Sequence, residues 1–468
     1  MKKKDLLSNV ILTLLIICAG ILTVKVWAFD SGMLPASSFL RELTRLENGI
    51  KYGVFVDDYE FSQSSEFFES SLLFPTDIVL CPESGSRVIP PYDMAVRSAA
   101  NQSVKDIVSY VLQESDYSVS EVNYSLVREA LGGRCAFVSY NYTVDFELYS
   151  RHLGLIATDM GDLGGFDSIV VSYGDDISIY FIDTEKSHLM RASCPISERA
   201  TSLFSSLMAQ SGGYTNCVFA YEVQDELHID DVYAVLPTGN IYTQKLSVLK
   251  YLVSDMTAQE KESRAEAALD IFDLSRSSGH WYDGSTAFSY ISDEATLNVT
   301  YDGFIEYRAF NSQRGFIPDG AGDVNILDRG QIISTAASLV SQLRAGIMNE
   351  SVTSVSYAGM EQNTQTGVVR VYFDYIVDGV PVYKTGGVKG YAAAVDVNDG
   401  GEIVYAKIMS DTVRYSGDWT RVMSCDELFG IIKLGTYQRI SDVRLLFSSE
   451  KDDTSYTAKW SLQTGGAA

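Results

Sequence analysis

One apolar run at the start of the chain constrains it most. Leu6 to Val24 is nineteen residues long and is broken only by Ser8, Asn9, Thr13 and Thr23 among polar types. As a helix it would reach about 28 Å, close to the ~30 Å hydrocarbon core of a bilayer. No other run in the 468 residues is long enough to span, which argues against a polytopic membrane protein. Lys2, Lys3 and Lys4 precede the run and an acidic mass follows it. The positive-inside rule therefore predicts a cytoplasmic N-terminus, a single-pass anchor in the cell membrane and an extracellular body. Val26-Trp27-Ala28 has the look of a signal-peptidase site, so cleavage after Ala28 is the competing reading. The run exceeds the roughly 7–15 residues of a secretory signal, which favours an uncleaved anchor. Cys18 follows Ile17, where a lipoprotein cysteine needs a small residue.

Charge narrows the partners. The chain has 36 Lys+Arg against 61 Asp+Glu, a net −25. Lys2, Lys3, Lys4 and Lys25 against Asp5 make the first 28 residues +3, so the remainder carries −28. A body that acidic repels phosphate backbones, and no nucleic-acid partner is expected. With 46% hydrophobic and 21% charged residues the chain has the balance of a folded protein rather than a disordered one.

Behind the anchor the pattern reads as α+β, with domains at 1–28 (tip and anchor), 29–215, 216–322 and 323–468. Residues 34–60 read as a juxtamembrane connection, with helical spacing over 37–47. The first block shows a strand at 77–80, an amphipathic helix over 104–112 and strands at 136–138 and 140–148. A hairpin of 169–171 and 177–182 about Gly174-Asp175-Asp176 follows, then a helix over 198–208. The middle block shows strands at 218–223 and 232–235, and helical spacing at Leu246, Leu249, Tyr251 and Leu252. A charged stretch at 259–266 leads into a helix reaching Phe272, and strands follow at 281–284, 288–291, 297–301 and 304–310. The last block repeats that order. A helix over 332–347 precedes strands at 352–360, 368–377, 388–397 and 402–408, with turns at Asp378-Gly379 and Asn398-Asp399-Gly400-Gly401. A helix over 425–433 and a strand at 456–462 close the chain. Helix followed by antiparallel strands, twice, predicts helix-on-antiparallel-sheet domains.

Motifs that carry chemistry are few. Ser247-Val248-Leu249-Lys250 matches S-x-x-K and Lys384-Thr385-Gly386 matches K-T-G, the outer motifs of penicillin-binding serine enzymes. The mechanism needs the Lys one helical turn from the Ser, and the Ser-x-Asn or Tyr-x-Asn expected between the two is missing from 250 to 384. The matches read as chance, with Lys384 at a strand end beside Gly386-Gly387, and no catalytic residue is assigned. His152, His188, His228 and His280 include no i, i+3 or i+4 pair, so no metal site is assigned. Asp396-Val397-Asn398-Asp399-Gly400 faintly suggests a calcium loop, but Lys407 stands where a bidentate Glu is needed, and the segment reads as a hairpin turn. Neither a cofactor-binding motif nor an enzymatic activity is expected. Cys81, Cys135, Cys194, Cys217 and Cys425 are scattered and odd in number. They form no dense framework, and for a single bridge the nearest pair along the chain is Cys194 and Cys217. Connectivity stays open.

The anchor has one patterned face. Asn9, Thr13, Ile16, Gly20, Thr23 and Trp27 follow 4-3-4-3-4 spacing, and the face they share is mostly small or polar. Such residues allow close helix approach and interhelical hydrogen bonds in lipid, so this is the candidate partner-helix face. The competing account leaves Asn9 and Trp27 simply at the two interfaces.

The order of parts resembles the YycH/YycI family. The resemblance rests on Phe74-Pro75-Thr76-Asp77-Ile78-Val79-Leu80, Phe166-Asp167-Ser168-Ile169-Val170-Val171, the stretch from Ala267 to Asp283, and Tyr372-Phe373-Asp374-Tyr375-Ile376-Val377-Asp378-Gly379-Val380-Pro381-Val382-Tyr383. Length and block layout are similar to its longer, YycH-type members. Ala458-Lys459-Trp460 departs from the pattern, where a Pro often precedes the Trp. The resemblance implies an extracytoplasmic, non-enzymatic regulator of a YycG (WalK)-like sensor histidine kinase, working with a YycI-like sister protein. The alternative is an envelope ligand- or peptide-binding, or protease-inhibitor, module of PepSY-like type.

Overall fold

A computed structural model describes residues 73–464, apart from 84, 86–87, 90–93, 156–159, 161–162, 185, 212–214, 224–228, 319–328, 435–439 and 450–453. The apolar run and the connection at 34–60 lie outside the described residues. Among the described residues no helix is long and apolar enough to cross a membrane.

The first sheet is built from β1 (Asp77–Cys81), β2 (Val88–Ile89), β3 (Ser118–Glu121), β4 (Arg134–Asp145), β5 (Gly165–Tyr173), β6 (Asp176–Asp183), β7 (His188–Pro195), β8 (Thr215–Phe219) and β9 (Val235–Pro237). Its order is β3-β7-β6-β5-β4-β1-β2-β8-β9, and every pair is antiparallel. Its helices are α1 (Met94–Ser109), α2 (Tyr124–Gly132), α3 (Phe146–His152) and α4 (Glu198–Met208). The middle strands bury both faces. Ile169 and Val171 of β5 point into one core with Val104, Ile107 and Val108 of α1 and Phe204 and Leu207 of α4. Val170, between them, points into another with Val127 and Leu131 of α2. Strict alternation between two apolar environments explains why these strands read as continuous apolar runs rather than as apolar–polar repeats.

The second sheet contains β10 (Ile241–Leu249), β11 (Gly279–Asp283), β12 (Ala287–Ser292), β13 (Ala295–Thr300), β14 (Phe304–Ala309), β15 (Ser354–Gln362), β16 (Val369–Val377), β17 (Val380–Tyr383), β18 (Ala393–Val397), β19 (Ile403–Met409), β20 (Thr412–Val422), β21 (Ile440–Ser449) and β22 (Ser455–Thr464). The order is β11-β12-β13-β14-β19-β18-β16-β17-β21-β22-β10-β20, with β15 also on β16. Pairing is antiparallel except between β17 and β21. Strands on either side of residue 322 thus share one sheet, joined where β14 meets β19. Helices α5 (Ala258–Ile271) and α6 (Arg329–Ile347) pack together on it, burying Ala265, Leu269, Ile333, Leu339 and Val340. Helix α7 (Cys425–Leu434) packs instead against Ala220, Ala234 and Leu236 at the β9 end of the first sheet. Tyr142 of β4 meets Tyr357 of β15 edge-on, with ring centroids 4.9 Å apart.

Most expected elements are present, and the departures have local causes. The strand expected at 140–148 stops at Asp145, whose side chain accepts from the backbone N–H of Glu147 and Leu148 at 3.0 and 3.2 Å and starts α3. The helical spacing at Leu246, Leu249, Tyr251 and Leu252 is misleading: β10 is extended, with Leu246 buried opposite Tyr415 and Leu249 exposed opposite Thr412. Cross-strand pairing overrides the local pattern. The strands expected at 218–223 and 388–397 are shorter, because short 3₁₀ turns occupy Ala220–Glu222 and Val388–Gly390. The turn at Asp378-Gly379 has φ of +52° and +80°, the left-handed pair a two-residue hairpin requires.

Phe166 touches the rings of Tyr140, Tyr149 and Phe181 at centroid distances of 6.0, 5.0 and 5.2 Å, at the centre of the first core. Phe166→Ala should destabilise the chain by about 3–5 kcal/mol. A urea unfolding midpoint close to that of the wild type would contradict this packing.

Candidate functional site

The sequence motifs come together in space, though not as a serine enzyme. Ser247 lies on β10, where a step of three residues turns a side chain to the opposite face, so Lys250 cannot sit one helical turn above it. Its hydroxyl donates to the Arg414 carbonyl at 3.3 Å. Lys384 follows directly on β17 and is buried against the fully buried Asp411, which accepts its ammonium proton. Lys250 and Asp302 are near enough to act on the same carboxylate. Burial pushes the Asp411 carboxyl up, and Lys384 and then Lys250 pull it back. Lys384 and Lys407 both lie over the Phe304 ring, at 5.5 and 4.9 Å.

Gly303 closes this knot. Its φ is +89°, and a Cβ there would collide with the Asp411 carboxylate and the Lys384 ammonium. Backbone and ion pair pack directly against each other here. The K-T-G lysine is therefore a tie between the end of β17 and the β19–β20 connection. What the sequence could not show is its partner, 27 residues away on a segment with no recognisable motif.

The seam between the sheets also buries charge. Phe74, Thr76, Tyr142, Ser356, Tyr357, Asp374, Ile376, Gly379 and Pro381 surround a cavity of about 10 Å³. That is room for about one water and no more. Asp374 is half-buried in its wall, and burial pushes its carboxyl up to about 7 despite the opposing pull of Arg444. Buried Arg97 of α1 donates to the Thr76 carbonyl and fills the space a side chain at Gly379 would take. On α1, Lys105 donates to His152 Nε2 at 2.7 Å, and burial lowers its ammonium to about 8.

The remaining candidates separate. Asp396 of the calcium-like stretch is held by Arg370 at 2.5 and 2.7 Å, and the Asn398 side chain folds back onto the Gly400 and Glu402 N–H groups, so the segment is a hairpin turn. Among the described residues no three His, Cys, Asp or Glu side chains converge to hold a metal. The partner-helix residues Asn9, Thr13, Ile16, Gly20, Thr23 and Trp27 lie outside the described residues. Two surface features escaped sequence reasoning. Tyr242 and Trp419 share one face of the β10–β20 pair and are 55% and 64% exposed, and β20 ends the sheet. An open groove of about 500 Å³ is lined by Tyr124, Arg128, Thr184, Asp230, Asp231 and Val232.

No family model matches the chain, and no curated protein matches it. Among solved structures, the crystal structure of YycH from Bacillus subtilis aligns with a TM-score of 0.54, covering 86% of this chain and 95% of that one. The chain folds like YycH. At 12% identity the likeness is one of fold, and it agrees with the resemblance read from the order of strands and helices. An acyl-CoA thioesterase II from Mycobacterium marinum aligns at a TM-score of 0.11 and 10% identity over 75% of this chain and 99% of that chain, and carries no argument.

Two measurements check the buried charges. Lys384→Met should cost about 3–5 kcal/mol at neutral pH by stranding Asp411, and Lys384→Met with Asp411→Leu should recover most of that in a double-mutant cycle. Additive losses would show that the pair is not coupled. The folded Asp374 carboxyl keeps its proton to about pH 7, whereas the unfolded one releases it near 3.8. Its contribution to stability therefore falls as pH rises through that window and is level above it. Asp374→Asn should flatten the difference between pH 5 and pH 8 in chemical denaturation; curves parallel to the wild type would refute the assignment.

Proposed function

We propose that the chain is a membrane-anchored, extracytoplasmic regulator of a two-component sensor histidine kinase and works without catalysis of its own. The observation that carries this reading is the YycH-like fold along 86% of the chain. Its implied partners are a YycG (WalK)-like kinase and a YycI-like sister protein. Two features of the chain support a role through contact. The motif residues Ser247 and Lys384 are committed to a backbone carbonyl and to Asp411 rather than to a reacting centre. Exposed Tyr242 and Trp419 stand on an outer strand pair, and large aromatics of this kind are enriched where proteins meet.

The route we propose runs through the anchor. The face of Asn9, Thr13, Ile16, Gly20, Thr23 and Trp27 packs against kinase transmembrane helices, and a signal received outside biases a kinase helix between two arrangements. It can do so only by making different contacts in each. Gly20→Leu with Thr13→Leu in the full chain should cut co-purification with the kinase by about threefold for each lost contact worth ~0.6 kcal/mol. Regulon output should move with it. Unchanged complex yield and output would remove this face from the mechanism.

The groove of about 500 Å³ favours a second reading, a ligand- or peptide-binding module of the PepSY-like kind. Such a module acts through its exterior alone. Full activity on an unrelated membrane anchor would select it over the first reading.

A further inference from the structure

The nearest cysteine pair along the chain is not the nearest pair in the fold. Cys194 of β7 points into the core under α1 and α4, whereas Cys217 of β8 points into the core under α2. The first sheet lies between those two cores. Cys425 belongs to a third, beside Leu428 and Phe429 of α7. The two remaining cysteines are brought together by strand register. Cys81, the last residue of β1, stands directly opposite Cys135 on β4. Both enter the α2 core among Val79, Phe137 and Leu131, and Cys217 belongs to the same cluster from β8, two strands from β1. All five are buried thiols in this structure.

Directly opposed residues of an antiparallel pair have Cα atoms about 4.5–5.5 Å apart and send their side chains out of the same face. A disulfide needs Cα atoms about 4.4–6.8 Å apart, and directly opposed positions in this register fall within that range. No other pair among the described cysteines faces across adjacent strands. We propose that Cys81 and Cys135 are a disulfide site, closed by exchange with a small-molecule or protein disulfide.

The chemistry balances in two displacements. The thiolate of one cysteine attacks a sulfur of the oxidant, forming a mixed disulfide and releasing one thiol. The second cysteine, having lost its proton, then displaces the other oxidant thiol and forms the Cys81–Cys135 bond. Two protein thiols lose two electrons and two protons, and one disulfide of the oxidant becomes two thiols. Because both thiols are buried once β1 docks on β4, exchange belongs to folding or to transient opening of that strand pair. The closed loop of about 55 residues restricts the unfolded chain, so the oxidised form should unfold at a higher urea concentration than the reduced one. This holds whichever partner the chain regulates.

The test uses the full chain, refolded in oxidised and reduced glutathione, alkylated, digested without reductant and mapped by mass spectrometry. The expected result is a Cys81–Cys135 linked peptide two hydrogens lighter than its reduced parts, with a urea midpoint that drops on reduction. Cys194→Ser should leave both unchanged, whereas Cys135→Ser should abolish the linked peptide and the sensitivity of the midpoint to reductant. Full alkylation of Cys81 and Cys135 after oxidation, or a bridge from either to Cys217 or Cys194, would overturn the proposal. Since the linked peptide is read on the unaltered chain, poor folding of a serine variant does not blunt the result.

Discussion

Strands with no free face govern this architecture. In the middle of the first sheet, successive residues such as Ile169, Val170 and Val171 enter cores on opposite sides. Backbone groups so enclosed have no water to turn to, so each must find its partner in the ladder. That requirement sets the width of the sheet and calls for helices on both sides of it. It also makes register unforgiving, because a slip of one residue would exchange the two cores, sending Phe137 to the α1 side and Ala136 to the α2 side. The opposition of Cys81 and Cys135 is a product of that same register.

Charge follows the same logic. A chain with net −25 can leave most carboxylates in water, but those drawn inside either take a cation or, like Asp374, keep their proton. Asp411 has Lys384, and half-exposed Asp283 holds the buried Lys261 ammonium at 2.9 Å. Asp396 has Arg370 in a two-pronged pair. Each ties together segments separated along the chain, and two of them use a motif residue, Lys384 and Asp396. Lys384 shows the point best: its K-T-G context suggests chemistry, while in the fold it is buried in an ion pair with Asp411 against the Gly303 backbone.

The seam cavity holds about one water, and the larger groove is open. What faces outward from the second sheet is an edge strand pair bearing the exposed aromatics Tyr242 and Trp419. A YycH-like fold with those features suits the regulatory reading, in which the information lies in contacts that change rather than bonds that break.

Local order was legible because it depends on neighbours in the chain. The alternation of Val369, Val371, Phe373 and Tyr375, the Asp378-Gly379 turn and the helix at 198–208 follow from side-chain period and backbone freedom alone. Where spacing could be read two ways, as from Leu246 to Leu252, pairing with β20 settled it, since a half-buried ladder outweighs a weak helical period. The end of β4 at Asp145 is hidden in the sequence for a related reason, because its capping role shows only once the strand before it has an end. The sequence by itself determined the class of elements, their order and the acidity of the whole. Only the tertiary structure decided that Lys384 belongs to Asp411 and Cys81 faces Cys135, because these pairings come from strand register and loop closure between residues remote in the chain, and such distances leave no periodic trace in the order of amino acids.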